Sequence, residues 1–328
     1  MWIGNAQSSY FNGNRGDDFL GMDDNLSPSN TDRSSIFGGQ GNDLLTIELG
    51  RDNSALTNSF VGGNLGNDVI LIDVDSSAAG TIFDGGDGDD FLSATATAVG
   101  TSEADLTMVG GAGNDSVTGG DGDDSIQGND GDDFLVGAEG RDTVEGGNGS
   151  DVVYGGRNDR EGDTLSGGTG GNRFVSRDDD SATYNVTAPG AGTSRLGNGF
   201  QFTWGGGGVD VITDWSSASA GTNVIDTGII GQLVIGNQGA ANMSFNASGT
   251  LAPFNSNIAI RGFFSADSQS FVTAQFGSDI LLTQTSNQTF GDWTNADFNR
   301  DVSTVLIGAG NTSILQDSNF VFEGTIPV

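Results

Sequence analysis

Aspartate is the residue whose type and spacing could do chemistry in this chain, and it returns at a fixed interval. Between Gly110 and Tyr154 a nine-residue unit runs five times without a break: GGAGNDSVT, GGDGDDSIQ, GNDGDDFLV, GAEGRDTVE and GGNGSDVVY. Each unit opens on a glycine-rich hexapeptide ending in Asp. Three residues follow, with an apolar one in the middle: Val117, Ile126, Leu135, Val144 and Val153. The pattern reads as a turn followed by a very short strand. Glycines at the first, second and fourth positions open backbone conformations closed to other residues and let carbonyls crowd toward one point. Asp at the sixth position adds a hard carboxylate oxygen. Two such turns stacked together would enclose a small cavity lined only by oxygen, a donor set that suits calcium. The chain has no His and no Cys, so the usual ligands of zinc or copper are missing.

Nine residues make half a coil, so turns on one edge should recur every eighteen. Asp115, Asp133 and Asp151 keep that spacing, and so do Asp124 and Asp142. The carboxylates therefore form two ladders, one along each edge. The unit GGxGxDxUx resembles the calcium-binding nonapeptide of the RTX (repeats-in-toxin) family. The resemblance implies a parallel β-roll with several calcium ions held between successive turns. It also implies carbonyl ligands at the first, third and fifth residues of a turn, together with glycines of the neighbouring turn. Those positions are Gly110, Ala112, Asn114, Gly119, Asp121, Asp123, Gly128, Asp130, Asp132, Gly137, Glu139, Gly146 and Asn148.

The repeat begins earlier, in stretched form. GNRGDDFL supplies Asp18, GGQGNDLLT supplies Asp43, GGNLGNDVI supplies Asp68 with Leu65 read as an extra residue, and GGDGDDFLS supplies Asp90. The steps between these acids exceed eighteen, so the coils over 13–109 are longer than the regular ones over 110–175. An apolar pair precedes each early Gly-Gly: Ile36 and Phe37, Phe60 and Val61, Ile82 and Phe83, Met108 and Val109. These read as return strands of the same coil. The longer segments RDNSALTN (51–58) and ATATAVGTSEAD (94–105) then become bulky, calcium-free turns on the opposite edge. They are exposed enough to meet a partner or simply to act as spacers. Beyond Tyr154 the array decays. Asp163 remains a ligand candidate after three extra residues, whereas Asn172 replaces the acid in the next unit, so that site should be weak or empty. The inward series continues through Leu165 and Phe174.

Composition agrees with a metal-neutralised acidic body. Of 328 residues, 56 are Gly and 44 are Asp or Glu, against 11 Arg and no Lys, for a net charge of −33. Such a charge repels itself unless counterions are bound, and it rules out a nucleic-acid partner. Salt adaptation of the surface is compatible with the same numbers. Disorder is not, because apolar residues recur at fixed offsets from each Asp. No run reaches the roughly 18 apolar residues of a membrane helix. The start, MWIGNAQSSYFNGNRGDD, has no basic flank and apolar core, so it is not read as a secretory signal peptide. The family resemblance implies type I secretion with an uncleaved signal near the C-terminus.

From about Arg177 the texture changes to Ser, Thr, Asn and Gln alternating with apolar residues. The reading is therefore all-β: a β-roll over 1–176, then a mostly antiparallel β-rich capping or assembly region over 177–328. GGGGVDVITDWSS (205–217) resembles the segment that often follows an RTX roll. IAIRGFF (258–264), AQFGSDILLT (274–283) and STVLIGAG (303–310) are strand candidates, and NFVFEGTIPV (319–328) serves equally as export signal or terminal strand.

For function, residue types exclude His-based triads, HExxH zinc peptidases and Schiff-base lysines. A carboxylate pair acting on sugars stays chemically open, but only six of the acids are Glu and most Asp are taken up by turns. The leading expectation is a secreted, non-enzymatic calcium-binding surface protein that forms a homo-oligomer or polymer: an adhesin, surface-layer, sheath or fibre subunit. The alternative is a carbohydrate-binding or accessory module of an extracellular polysaccharide-acting system. It is motivated by Trp204, Trp215 and Trp293, for each of which core packing is the competing reading.

Overall fold

The computed structural model describes residues 2–3, 9–23, 30–49, 55–74, 78–94, 104–156, 161–175, 184–187, 201–204, 209–215, 223–226, 233–235, 256–273, 278–285, 303–307 and 320–321. Among them every regular element is a strand and none is a helix; no helix is long and apolar enough to cross a membrane. The chain divides into two compact units, Met1–Gly156 with Gly167–Asn172, and Arg157–Ser166 with Arg173–Val328.

The first unit is a parallel β-solenoid built from two facing ladders. One runs Trp2–Ile3, Phe19–Asp23, Leu44–Leu49, Val69–Val74, Phe91–Ala94, Ser116–Thr118, Phe134–Val136, Val152–Tyr154. The other runs Tyr10–Asn12, Ser35–Gln40, Phe60–Leu65, Ile82–Asp87, Thr107–Ala112, Ser125–Asp130, Thr143–Asn148. Each coil takes one strand from each ladder. Pairs are in register, so the alternation of strand side chains puts one residue of every short strand inward on a common line. Leu20, Leu45, Ile70, Leu92, Val117, Leu135 and Val153 form one inward row, and Ile36, Val61, Phe83, Met108, Ile126 and Val144 the other, each almost fully buried. The return strands expected over 35–109 are present, but only one member of each apolar pair faces in. Ile36, Val61, Phe83 and Met108 are fully buried, while Phe37, Phe60 and Val109 are half-buried and Ile82 is 38% exposed.

The register corrects one detail of the sequence reading. Leu65 is not an extra residue: it pairs with Gln40 on one side and Asp87 on the other. The turn unit is Gly63-Asn64-Leu65-Gly66-Asn67-Asp68, in which Asn64 takes the second glycine's place at φ 82°. Asn is the non-glycine residue best able to enter the left-handed region, so Gly62 belongs to the strand before the turn. At the fourth position glycine is required more strictly. Gly113 has φ 127°, and a side chain there would run into the carbonyl of Gly88 on the preceding coil.

The second unit carries both parallel and antiparallel pairing. Asp210–Ile212 pairs in parallel with Thr164–Thr169 and with Ser303–Leu306, and Val224–Asp226 does so with Arg173–Val175 and Phe320–Val321. The antiparallel part contains the hairpin Ser256–Ser265 and Ser270–Thr273, the strand Asp279–Thr285 beside it, and the pair Tyr184–Thr187 with Gln201–Trp204. Parallel solenoid pairing thus continues past the expected change of texture. The physical reason is that GGGGVDVIT repeats the GGxGxD sequence pattern, with Asp210 at the sixth position. Leu165, Phe174, Ile212, Trp215, Ile225 and Val305 are buried in this unit, and Phe174 packs against Trp215 with ring centroids 6.0 Å apart. The expected strand over 274–283 is described from residue 278 onward. Residues 51–54, 95–103, 205–208, 216–217, 308–310, 319 and 322–328 of the segments read above lie outside the described residues.

The two neighbours Ile82 and Phe83 separate packing from propensity. Phe83→Ala should cost about 3 to 5 kcal/mol of stability, whereas Ile82→Ala should stay within about 0.5 to 1 kcal/mol. Denaturant unfolding of the two variants beside the parent chain reads the difference.

Candidate metal centre

Each turn is held to the next by its sixth residue. The backbone N–H of Asp18 donates to Oδ1 of Asp43 at 2.7 Å, that of Asp43 to Asp68 at 2.7 Å, and that of Asp68 to Asp90 at 2.7 Å. The series continues from Asp90 to Asp115 at 2.8 Å, Asp115 to Asp133 at 2.8 Å, Asp133 to Asp151 at 3.0 Å, and Asp151 to the amide oxygen of Asn172 at 2.9 Å. These residues form one edge of the first unit. On the opposite edge Leu106 N–H donates to Asp124 and Asp124 N–H to Asp142, both at 2.8 Å. In the second unit Asp163 N–H donates to Oδ1 of Asp210 at 3.2 Å. The structure therefore brings the aspartates read from the sequence onto turn edges, and adds Asp210.

One oxygen of each carboxylate closes the ladder; the other is the candidate ligand. Oδ2 of Asp18, Asp43, Asp68, Asp90, Asp115, Asp133 and Asp151 is buried and meets no hydrogen-bond donor. A buried anionic oxygen without a donor is costly unless a cation takes that place. Each of these oxygens points at the space over the first glycine of its own turn. A Cβ on Gly85 would collide with Asp90 Oδ2 and would come 2.5 Å from the carbonyl oxygen of Gly110 on the next coil. The same pair of oxygens, one from each coil, converges over Gly63 (Asp68 and Gly85) and Gly128 (Asp133 and Gly146). Over Gly119 the pair is Asp124 and Gly137, and over Gly13 it is Asp18 and Gly38. Over Gly13, Gly63, Gly85 and Gly128 the carboxylate oxygen meets no donor, so the residues present fit a hard cation. Among the described residues no three acidic side chains gather at one point. The remaining oxygens must come from the backbone, which is the ligand habit of calcium rather than zinc.

The expected backbone ligands divide into groups. Carbonyls of Gly110, Gly137 and Gly146 point over the first glycine of the preceding turn on their edge. The third-position carbonyls of Ala112, Asp130 and Asn148 accept N–H groups from Gly88, Gly113 and Gly131 at 2.7 to 2.8 Å. A carbonyl has two lone pairs, so one stays available. Gly119 and Glu139 bond through their N–H groups, to the carbonyls of Val136 and Gly120. Gly128 and Asp121 sit at the equivalent first and third positions of their turns.

The fifth residue has a role that spacing alone did not reveal. Its side chain accepts the N–H of the fifth residue one coil later: Asn114 from Asp132, Asp123 from Arg141, and Asp132 from Ser150, at 2.7 to 2.9 Å. Asp17, Asn42, Asn67, Asp89 and Asp105 act in the same way. This outer ladder points along the chain in the sense opposite to the inner one. The recurring Asn or Asp at the fifth position was the available signal. Asp124 departs from the pattern, since its Oδ2 also accepts Gly120 N–H at 2.8 Å. Asn172 is fully buried and keeps the acceptor but not the charge. Of the three tryptophans considered as sugar contacts, Trp215 is fully buried core, while the side chain of Trp204 and the whole of Trp293 lie outside the described residues.

Burial dominates the electrostatics. It pushes the Asp90 carboxyl up to about 7 and those of Asp68, Asp115, Asp124 and Asp151 up to about 6, from the ordinary 3.8; backbone hydrogen bonds lower them in part and neighbouring aspartates raise them again. Asp43 and Asp133 are raised for the same leading reason.

Turns of this kind define a parallel β-roll of nonapeptide coils. Residues 30–53, 82–96, 107–135 and 127–161 match the RTX calcium-binding nonapeptide repeat in four copies. The chain thus carries RTX nonapeptide repeats over these residues, and such repeats are calcium-binding units. Among solved structures it is similar to the solution structure of the AlgE6R2 subunit from the Azotobacter vinelandii mannuronan C5-epimerase. The two are 21% identical over 64% of this chain and 94% of that one, with a TM-score of 0.33. No curated protein matches the chain.

The raised values set a pH dependence for the metal-free chain. A carboxyl whose folded value lies above its unfolded one adds stability below the unfolded value and loses it as pH rises through the folded value. Without calcium, the roll should therefore be most ordered near pH 4 and should lose strand signal between about pH 4 and 7. Saturating calcium should flatten that profile. Circular dichroism across the range, with EDTA and with calcium, checks both.

Proposed function

We propose that the chain is a secreted, non-enzymatic calcium-dependent structural protein of the cell surface or extracellular matrix, whose roll folds when it meets extracellular calcium. The observation that carries this reading is the row of buried, donorless Oδ2 atoms facing glycine carbonyls of the next coil. Side-chain ligands on this reading are Asp18, Asp43, Asp68, Asp90, Asp115, Asp124, Asp133, Asp142, Asp151 and Asp163. The backbone ligands are the first-, third- and fifth-position carbonyls of the regular turns, with Asp210 as an added acid in the second unit.

When bound, calcium supplies positive charge between stacked turns and completes the lone pairs left over from hydrogen bonding. The chain's own residues do the rest. The N–H ladder orients each carboxylate, and glycine at the first position leaves the space that a Cβ would fill. The regular three-residue strands bury one or two side chains each, Val117, Leu135, and Val153 with Tyr154, so hydrophobic burial over this span is thin for the backbone it must order. A ligand that binds only the folded form supplies stability in proportion to the logarithm of its concentration. Extracellular modules take calcium at about 0.1 to 1 mM, so this regular span is loose in a cytosol and ordered outside it. Charge neutralisation on a body of −33 also permits copies to approach, which supports assembly into a homo-oligomer or polymer. The carbohydrate-binding alternative loses one of its three supports, because Trp215 is packed on Phe174.

Two measurements test this reading. Calcium titrated into EDTA-treated protein should raise strand signal, and Asp133→Asn should need roughly ten-fold more calcium for the last part of the gain. Asn keeps the acceptor for Asp115 N–H, as Asn172 does for Asp151, so loss of structure in saturating calcium would count against a ligand role. Light scattering in millimolar calcium should show assemblies larger than the monomer; a strict monomer at high concentration removes the assembly part alone.

A further inference from the structure

The two edges of the first unit differ in chemistry along its length. Where Asp124 and Asp142 sit on the regular coils, the N-terminal coils carry hydroxyls. Ser9 N–H donates to Ser34 Oγ at 3.2 Å, Ser34 N–H to Ser59 Oγ at 3.1 Å, and Ser59 N–H to Thr81 Oγ1 at 3.3 Å. These are the same inter-coil bonds that Asp124 and Asp142 accept further on. Here the acceptors are neutral, and they also donate: Ser59 Oγ to the Thr57 carbonyl at 2.9 Å and Thr81 Oγ1 to the Leu56 carbonyl at 2.8 Å. Ser34, Ser59 and Thr81 are buried, and the hydroxyls of Ser59 and Thr81 are satisfied without a cation. This edge is filled by apolar side chains, with Leu56 at 0% exposure, Ala78 at 1%, Leu106 at 4% and Ala104 at 7%. A small extra parallel pair, Asn30–Asp32 with Ala55–Thr57, lies on it.

The same coils bury more. Leu44–Leu49 and Val69–Val74 are six-residue strands that point two side chains inward each, Leu45 with Ile47 and Ile70 with Ile72. Ser116–Thr118, Phe134–Val136 and Val152–Tyr154 are three residues long and place one on that line. Burial scales with area removed from water, so each coil carrying one of these two strands has about twice the apolar support of a regular coil on that line. Its other edge still carries Asp43, Asp68 and Asp90. The hydroxyl edge, by contrast, has its Ser59 and Thr81 donors satisfied by backbone carbonyls.

We propose that the coils spanning 34–94 form a calcium-independent seed, onto which the regular coils of 107–154 assemble in order when calcium arrives. The seed ends in a template: Ile82–Asp87 carries Thr107–Ala112, and Phe91–Ala94 carries Ser116–Thr118, both parallel and in register. Calcium then controls how far the roll extends rather than whether it exists. The inference rests on the reading of the carboxylates as calcium ligands.

Hydrogen–deuterium exchange with mass spectrometry on the full chain, in EDTA and in millimolar calcium, tests it. In EDTA the amides of 35–49 and 60–74 should exchange at least about ten-fold more slowly than those of 116–136 and 143–154. Calcium should slow the second group strongly and the first little. If both groups are unprotected in EDTA and gain protection together, the seed does not exist. If calcium leaves 116–154 unprotected, the ligand reading fails instead. A Ser59→Asp, Thr81→Asp variant extends the test: its 35–74 segment should lose protection in EDTA and recover it in calcium, and protection retained in EDTA overturns the proposal. Should that variant fold in neither condition, the parent-chain comparison decides alone.

Discussion

Every coil of the roll depends on one bond, the backbone N–H of a turn's sixth residue donating to the side chain of the sixth residue one coil later. A parallel sheet supplies hydrogen bonds along its strands but leaves the turns between them to find their own partners. Aspartate solves the turn's problem and creates another. One oxygen closes the ladder, while the second is left buried against a carbonyl of the neighbouring coil, at Gly110 over Gly85 or at Gly146 over Gly128. The fold is thus complete in its geometry and incomplete in its charge. That is the physical sense in which a metal belongs to the architecture rather than decorating it.

How much of this was legible follows from how local each signal is. The turn unit and its inward residue are encoded within nine residues, so the two ladders, the inward rows and the placement of Asp115, Asp124, Asp133, Asp142 and Asp151 on edges could be read directly. The return strands before Gly38, Gly63, Gly85 and Gly110 could be read too, because one apolar residue, Ile36, Val61, Phe83 or Met108, sits two places ahead of each turn. Which member of a pair faces in depended on register, and register was misjudged at Leu65 because Asn64 was not recognised as a stand-in for glycine. Asp210 is hard to read although its GGxGxD is intact, since the step from Asp163 is 47 residues, outside the period that links the other turns. The fifth-position ladder was missed because Asn, Asp, Ser and Arg at that site look like ordinary turn composition. Only the alignment of successive N–H groups gives that site a shared task.

The contrast between Ser34, Ser59 and Thr81 on one side and Asp124 and Asp142 on the other shows what the carboxylate adds. Both kinds of residue accept the same inter-coil N–H. A hydroxyl also donates, so at Ser59 and Thr81 it satisfies itself against a nearby carbonyl and needs nothing else. Ionised carboxylate accepts only. Where the turn is padded with Leu56 and Ala78 the neutral acceptor suffices; where the turn is six residues of mostly glycine, little apolar material lies nearby. Charge and padding are alternatives in this fold, and the chain uses one on each edge of its N-terminal coils.

Identical repeats carry a hazard that the hydrogen bonds alone do not remove. In a strictly periodic array, slipping one coil by eighteen residues regenerates nearly every contact, so the regular span from Gly110 to Tyr154 specifies its own register weakly. The inner and outer ladders fix the local fit from both directions, since one places its acceptor on the later coil and the other on the earlier coil. They still cannot tell one regular coil from the next. Unequal coils can. The steps of 25, 25, 22 and 25 residues from Asp18 to Asp115 match no shifted copy of themselves in strand length, edge padding and turn sequence together. The second inward position, Ile47 beside Ile72, has no equivalent in the three-residue strands. The irregular coils therefore set the frame from which the regular ones are counted, and their departure from the nine-residue rule is what makes the rest of the roll unambiguous.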